Sequence, residues 1–214
     1  VCRAIVSKRD IFVKWPTNEE RRFISDRFQE LTGIPGIVGA IDGSHFRIQG
    51  PHVDEFVYIN RKGYHSLNIG LIADSSRKFR WFSRAYPGSA HDSRVFRESH
   101  LYAGLLRRQH MGILLGDSAY RSEFFLLKPV LDAARGTREA RYTDAVCRGR
   151  VIVENAIGVL KRQFHALHGE LRYQPEKAAT LISAAICLRN AAIDMGEPNF
   201  AGNDDEEADR HGAR

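Results

Sequence analysis

Ile37-Val38-Gly39-Ala40-Ile41-Asp42-Gly43 is a short apolar run of the kind that makes a buried strand, closed by an aspartate; Gly112-Ile113-Leu114-Leu115-Gly116-Asp117 repeats the form downstream. Strands that each deliver an acid at their C-terminal end predict a sheet with carboxylates gathered at one edge, where a cleft can form. Three more strands are expected at 45–49, 66–73 and 79–85, the last two joined by the polar turn Asp74-Ser75-Ser76-Arg77-Lys78 in a meander. Upstream, Thr17-Asn18-Glu19-Glu20 has the form of a capping box, and Phe23, Ile24, Phe28 and Leu31 recur at helical spacing, which predicts a helix over 18–31. Downstream, short helices are expected between His91 and Arg107, a loop-rich stretch from Asp117 to about Arg141, a helix over 143–167 and a last one over 175–194. Together these elements specify an α/β class, a central mixed sheet flanked by helices.

The 214 residues, 43% of them hydrophobic, suffice for one substantial core. The chain carries a net charge of +6, and because six acids against two bases fall in 197–214, the preceding residues are more basic than that figure. A field of this sign favours a polyanionic partner. Cys2, Cys147 and Cys187 show no zinc-ligand spacing and read as reduced structural thiols. No apolar run is long enough to span a bilayer, and no signal-peptide pattern is present, so no membrane association or secretion is expected. The chain begins at Val1 and not at a methionine, as a piece of a longer protein would. The absence of a GxGxxG or P-loop string argues against nucleotide-dependent chemistry.

Asp42 and Asp117 stand at the ends of apolar runs, and Glu154 follows Val151-Ile152-Val153 and precedes Ile157 and Leu160 in a helical pattern. Buried carboxylates require compensation, and several converging on divalent ions make an oxygen-rich site suited to Mg²⁺ or Mn²⁺. Each residue also has a plainer reading. Asp42-Gly43 fits an Asp-Gly turn, Asp117 a helix cap, and Glu154 a solvated pair with Arg150 or Lys161. Spacing alone does not choose between these readings. Asp92 reads either as a fourth metal-site carboxylate, as a group orienting His91, or as a cap of the helix that follows. His45 reads as a half-buried strand histidine, with ligation as the alternative. Asn60, Arg61 and Lys62 in a Gly-containing turn, and Lys161 and Arg162 two turns beyond Glu154, are candidate phosphate contacts.

Five ordered strings break the tie: Gly39-Ala40-Ile41-Asp42-Gly43-Ser44-His45, Asn60-Arg61-Lys62-Gly63-Tyr64-His65-Ser66-Leu67-Asn68, Pro87-Gly88-Ser89-Ala90-His91-Asp92-Ser93-Arg94, Leu115-Gly116-Asp117-Ser118-Ala119-Tyr120, and Glu154-Asn155-Ala156-Ile157-Gly158-Val159-Leu160-Lys161-Arg162-Gln163-Phe164. In content and order they resemble the PIF/Harbinger superfamily of DDE transposases and the domesticated nucleases derived from it. The resemblance implies an RNase H-like fold, with Asp42, Asp117 and Glu154 as catalytic acids that hold two Mg²⁺ or Mn²⁺ ions. The expected organisation is a nuclease domain over 34–195, preceded by a helical lead-in over 1–33 and followed by a tail over 196–214 whose acidic, Gly-containing composition reads as disordered. The interval from Asp117 to Glu154 is shorter than the resemblance leads one to expect, as if the intervening loop were trimmed.

The expected activity is metal-dependent DNA endonucleolytic cleavage, with strand transfer as a possible extension. The alternative is a domesticated, non-cleaving DNA- or protein-binding module that keeps the fold. DNA is the expected partner, with a separate DNA-binding protein supplying the helix-turn-helix that this sequence lacks, and an oligomer is compatible with that arrangement. Nuclear residence follows from DNA as substrate, with the cytoplasm as the alternative.

Overall fold

The computed structural model describes residues 1–197. The expected acidic tail, 196–214, lies outside the described residues apart from Gly196 and Glu197. Seven helices, six strands and two short 3-10 turns are found among them. Helices α1 (Cys2–Val6) and α2 (Arg9–Phe12) lead into α3 (Asn18–Thr32), whose N-terminus carries the expected capping box: Thr17 accepts from the Glu20 backbone and the Glu20 side chain accepts from the Thr17 N–H. Gly33, at φ 76°, ends the helix in a left-handed cap.

The strands are β1 (Ile37–Arg47), β2 (Ser66–Ala73), β3 (Phe79–Phe82), β4 (Tyr86–Pro87), β5 (Ile113–Leu115) and β6 (Leu126–Leu127). Their order is β3-β2-β1-β5-β6, with β4 against β2. The β1–β2 and β2–β3 ladders are antiparallel, and β1–β5 and β5–β6 are parallel. The result is the mixed sheet anticipated above. The crossover from the meander to β5 runs through α4 (Asp92–Arg97) and α5 (His100–Leu106), and the chain then continues into α6 (Arg138–Gln163) and α7 (Pro175–Asp194).

The sheet is buried on both sides. On one, Phe46, Ile69, Leu71 and Phe79 pack with Ile24 and Phe28 of α3, Val153, Ala156 and Leu160 of α6, and Ile182 and Ile186 of α7. On the other, Ile41, Ile72 and Leu114 meet Phe96, Leu101 and Leu105 of α4 and α5, together with Tyr120 and Phe125. Residues before Gly33 thus contribute to the same core as the sheet. At the outer strand, the buried Asn190 of α7 donates to the Phe79 carbonyl at 2.7 Å and accepts its N–H at 2.9 Å, which covers an otherwise open sheet edge. Of the three unpaired cysteines, Cys187 is buried while Cys147 is exposed. No described helix is long and apolar enough to cross a membrane.

Three expectations are corrected. The strand does not end at Asp42-Gly43: β1 continues to Arg47, with Asp42 opposite Leu71 and Gly43 opposite Gly70, so the Asp-Gly turn is excluded and the strand expected at 45–49 is part of β1. The stretch after Asp117 is not all loop, because Leu126–Leu127 join the sheet beside Leu114 and Leu115. The long helix starts at Arg138 and not near 143, because the Thr137 hydroxyl accepts the Ala140 N–H and caps it there.

Candidate active site

The parallel register decides which acids meet. Ala40 pairs with Leu115, so two residues further along each chain Asp42 and Asp117 stand on neighbouring paths. Past that point β5 ends while β1 runs on to Arg47 against β2, which opens a notch in the sheet. Asp117 leaves β5 into a tight turn, where its Oδ1 accepts the Ala119 N–H at 3.0 Å.

Asp92 enters the notch from the N-terminus of α4. It does not cap that helix, whose N-cap is His91, and it does not orient His91, which hydrogen-bonds Arg61 instead. Its carboxylate lies over Gly43, where an added Cβ would sit 2.1 Å from Asp92 Oδ1. Glycine is therefore required at 43 by close approach. Asn68, buried on β2, holds Asp92 by donating to Oδ1 at 2.6 Å while also donating to the Ala90 carbonyl at 2.9 Å.

The electrostatics follow from this grouping. Burial pushes the Asp42 carboxyl up to about 6; Arg150 and the Gly43 N–H oppose the shift, and the charges of Asp92 and Asp117 add to it. Tyr120, 2% exposed, sits beside the same three acids. Its phenol is pushed well above its usual range by burial first and then by Asp92, Asp42 and Asp117. Its hydroxyl is buried with no hydrogen-bond partner. Glu154, on α6, is reached through an arginine: Arg150 Nη2 lies 3.1 Å from Glu154 Oε1 and 4.0 Å from Asp42 Oδ1. The surface-pair reading of Glu154 thus has the right partner, but that partner is itself largely covered and also faces Asp42.

Beside the acids lies a cleft of about 640 Å³ whose lining includes Asp92 and Asp117 together with Arg61, Lys62 and Lys161. Lys161 is two turns after Glu154, hence on the same face of α6, and donates to the His45 carbonyl at 3.1 Å. Burial lowers its ammonium pKa, with nearby Lys62 adding to the effect. Arg162, rotated away by one residue, is not among the lining groups. Asn60 is buried; its Oδ1 accepts the Lys62 N–H at 2.9 Å and its Nδ2 donates to Ser66 Oγ at 2.9 Å, so it shapes the loop that presents Arg61 and Lys62. His45 lines the cleft, bonded through Nδ1 to Ser66 Oγ at 2.9 Å. Burial and the charges of Lys161, Lys62 and Arg61 lower its pKa against the opposing pull of Asp92.

Among the described residues no three His, Cys, Asp or Glu side chains stand close enough to chelate an ion as they are. The donor set nevertheless suits one. Several hard carboxylate oxygens, from three half-buried aspartates and the more exposed Glu154, line a notch with incomplete counter-charge, a guanidinium occupies the gap between Asp42 and Glu154, and an unpartnered phenol adjoins the group. Asp42, Asp117, Glu154 and Asp92 are the residues that could hold Mg²⁺ or Mn²⁺. Three participants were not singled out from sequence: Tyr120 and Asn68, although both lie inside quoted strings, and Arg150, noted only as a surface partner.

Comparison with known proteins fits this geometry. A sequence profile of the family described as DDE superfamily endonuclease matches residues 41–190. The protein named "Putative nuclease HARBI1" is 31% identical over 201 residues in both cattle and human, a stretch that covers 92% of this chain and 57% of each relative. "Protein ALP1-like" of Arabidopsis thaliana is 20% identical over 201 residues, covering 86% of this chain and 49% of that protein. The chain thus spans a little over half the length of the nuclease-named relatives. No solved structure matches. The acids of the notch, the sheet that gathers them and the profile spanning most of the chain agree: the chain belongs to the DDE superfamily endonucleases, RNase H-like in fold, and its Harbinger-type motifs group it with the transposase-derived nucleases.

Proposed function

We propose that this chain is the catalytic core of a divalent-metal-dependent DNA nuclease. The observation that carries the reading is the grouping of half-buried aspartates, Asp42 among them under-compensated, beside a cation-walled cleft that opens onto them. Asp42, Asp117 and Glu154, with Asp92 as a fourth carboxylate, would hold two Mg²⁺ or Mn²⁺ ions. Ions bound there would activate a water for in-line attack on a phosphodiester and stabilise the leaving oxygen.

The chain's own residues do the rest. Arg61, Lys62 and Lys161 attract the strand and position its phosphates over Asp92 and Asp117. Asn68 and Gly43 fix the approach of Asp92, while the buried phenol of Tyr120 offers a donor to whatever oxygen ligand enters the notch. The domain organisation that goes with this reading is a nuclease core over 34–195 with 1–33 packed on it. DNA targeting by a partner protein, nuclear residence, oligomer formation and strand transfer belong to the same proposal.

Asp117→Asn should abolish Mg²⁺-dependent cleavage of a DNA duplex while leaving the circular dichroism spectrum unchanged. Cutting at the wild-type rate by that variant would overturn the proposal, and a wild-type protein that binds DNA and Mn²⁺ without cutting would replace it with the non-cleaving module.

A further inference from the structure

One position in the acid cluster already holds a cation. The Arg150 guanidinium stands between Glu154 and Asp42, at 3.1 and 4.0 Å. It is 16% exposed, and its Nε is buried without a hydrogen-bond partner. Arginine in a structural ion pair behaves differently here: Arg80 directs Nε to Asp74 at 2.6 Å and Nη1 to Glu20 at 2.8 Å. Arg150 has only the looser arrangement, which supplies charge more than a complete set of bonds. Its place one turn before Glu154 on α6 delivers it to that face whatever else binds there.

A divalent ion ligated by both Asp42 and Glu154 would need the space the guanidinium takes. Two cations so close repel each other, the more so on the Asp42 side, where the carboxylate is largely covered, than at the half-exposed Glu154. We propose that Arg150 is a tethered counter-ion: in the metal-free protein it fills the position between Asp42 and Glu154, and a divalent ion enters only by displacing it. The inference rests on the reading of these acids as metal ligands. Its consequence is a site held together without metal, in which the displaced guanidinium becomes free for an anionic group such as a strand phosphate.

Calorimetric titration of Mn²⁺ into the wild-type chain, Arg150→Gln and Arg150→Lys, with thermal melts in chelator alongside, tests this. Arg150→Gln should bind Mn²⁺ about tenfold or more tightly and melt lower than wild type when metal-free, while Arg150→Lys should stay near wild type on both measures. Binding by Arg150→Gln with no wild-type binding supports the proposal in its strongest form. Equal or weaker Mn²⁺ affinity in Arg150→Gln, with wild type binding normally, overturns the counter-ion role and leaves the metal site standing. An Arg150→Gln chain unfolded with and without Mn²⁺ overturns it in favour of a purely structural arginine. No binding by any of the three proteins sinks the metal-site reading, and the counter-ion with it.

Discussion

Two aspartates of the same sheet have opposite surroundings. Asp74, 1% exposed at the end of β2, accepts N–H groups from Ser76 at 2.8 Å and Lys78 at 3.1 Å and pairs with Arg80 at 2.6 Å, which in turn reaches Glu20. Asp42, at the centre of β1, accepts one backbone N–H at 3.0 Å, has its nearest guanidinium nitrogen at 4.0 Å, and faces Asp92 and Asp117. Asp74 loses its water almost entirely and Asp42 in large part, but only Asp74 is fully compensated. A carboxylate whose charge is fully answered by the protein ties the fold together, whereas one left under-compensated beside its like is poised for an external cation.

The sharpest break of that comparison is a matched pair of substitutions. Asp42→Asn should reduce metal-dependent cleavage by about 10³-fold or more and leave the metal-free protein as stable as wild type or more so, since it removes a carboxylate whose charge is disfavoured first by lost solvent and then by Asp92 and Asp117. Asp74→Ala should retain the chemistry in whatever fraction stays folded but lose roughly 3–5 kcal/mol of stability, because Arg80 is left buried without its closest partner. Urea titrations in chelator and nuclease assays read both quantities. Stability losses of similar size in the two variants would erase the distinction.

A second difference is in sign. Asp42 binds its proton more tightly in the fold, where burial raises its pKa from the ordinary 3.8 to about 6. The metal-free protein should therefore lose stability as pH rises from about 4 to about 6, by an amount on the order of 3 kcal/mol at most. Glu20, on the Asp74 side, is shifted down: burial works against this, but the Thr17 backbone and Arg80 prevail, so its contribution is present above the ordinary glutamate range and lost as pH falls. Denaturant melts across this range should show a falling component that vanishes in Asp42→Asn and with saturating Mn²⁺. Its persistence in both would assign the slope to another group.

The smallest expected effect probes packing and not charge. Gly43→Ala puts a methyl group where the Asp92 carboxylate lies and should cost about 1–3 kcal/mol with a partial loss of activity, whereas Gly33→Ala, at a left-handed cap with open space around it, should cost about 1 kcal/mol and leave activity intact. Equal cleavage rates in the two would remove Asp92 from the site.

Locally encoded features were legible from the residues. The capping box of Thr17 and Glu20, the strand 66–73 and the helix 175–194 depend on neighbours within a few positions, and they stand where periodicity put them. Long-range pairing was not legible. Leu126–Leu127 looked like loop because two residues carry no period of their own and become a strand only against Leu114 and Leu115. The Asp42-Gly43 pair looked like a strand end because an Asp-Gly step usually turns, and it stays extended because Gly70 and Leu71 pair with it.

The sequence by itself determined that two short apolar strands each lead into an aspartate, that a helix carries Glu154 with Lys161 two turns beyond, and that the ordered motifs are those of the DDE superfamily endonuclease family. Only the tertiary structure decided that Asp92 lies over Gly43, that Tyr120 is buried among three acids without a partner, that Asn60 shapes its loop while Lys161 and not Arg162 lines the cleft, and that Arg150 stands between Asp42 and Glu154. The reason is physical. Caps and periods are written in neighbouring residues, but the charge a carboxylate feels depends on what the register of parallel strands and the packing of distant helices place beside it, and how much water they leave there.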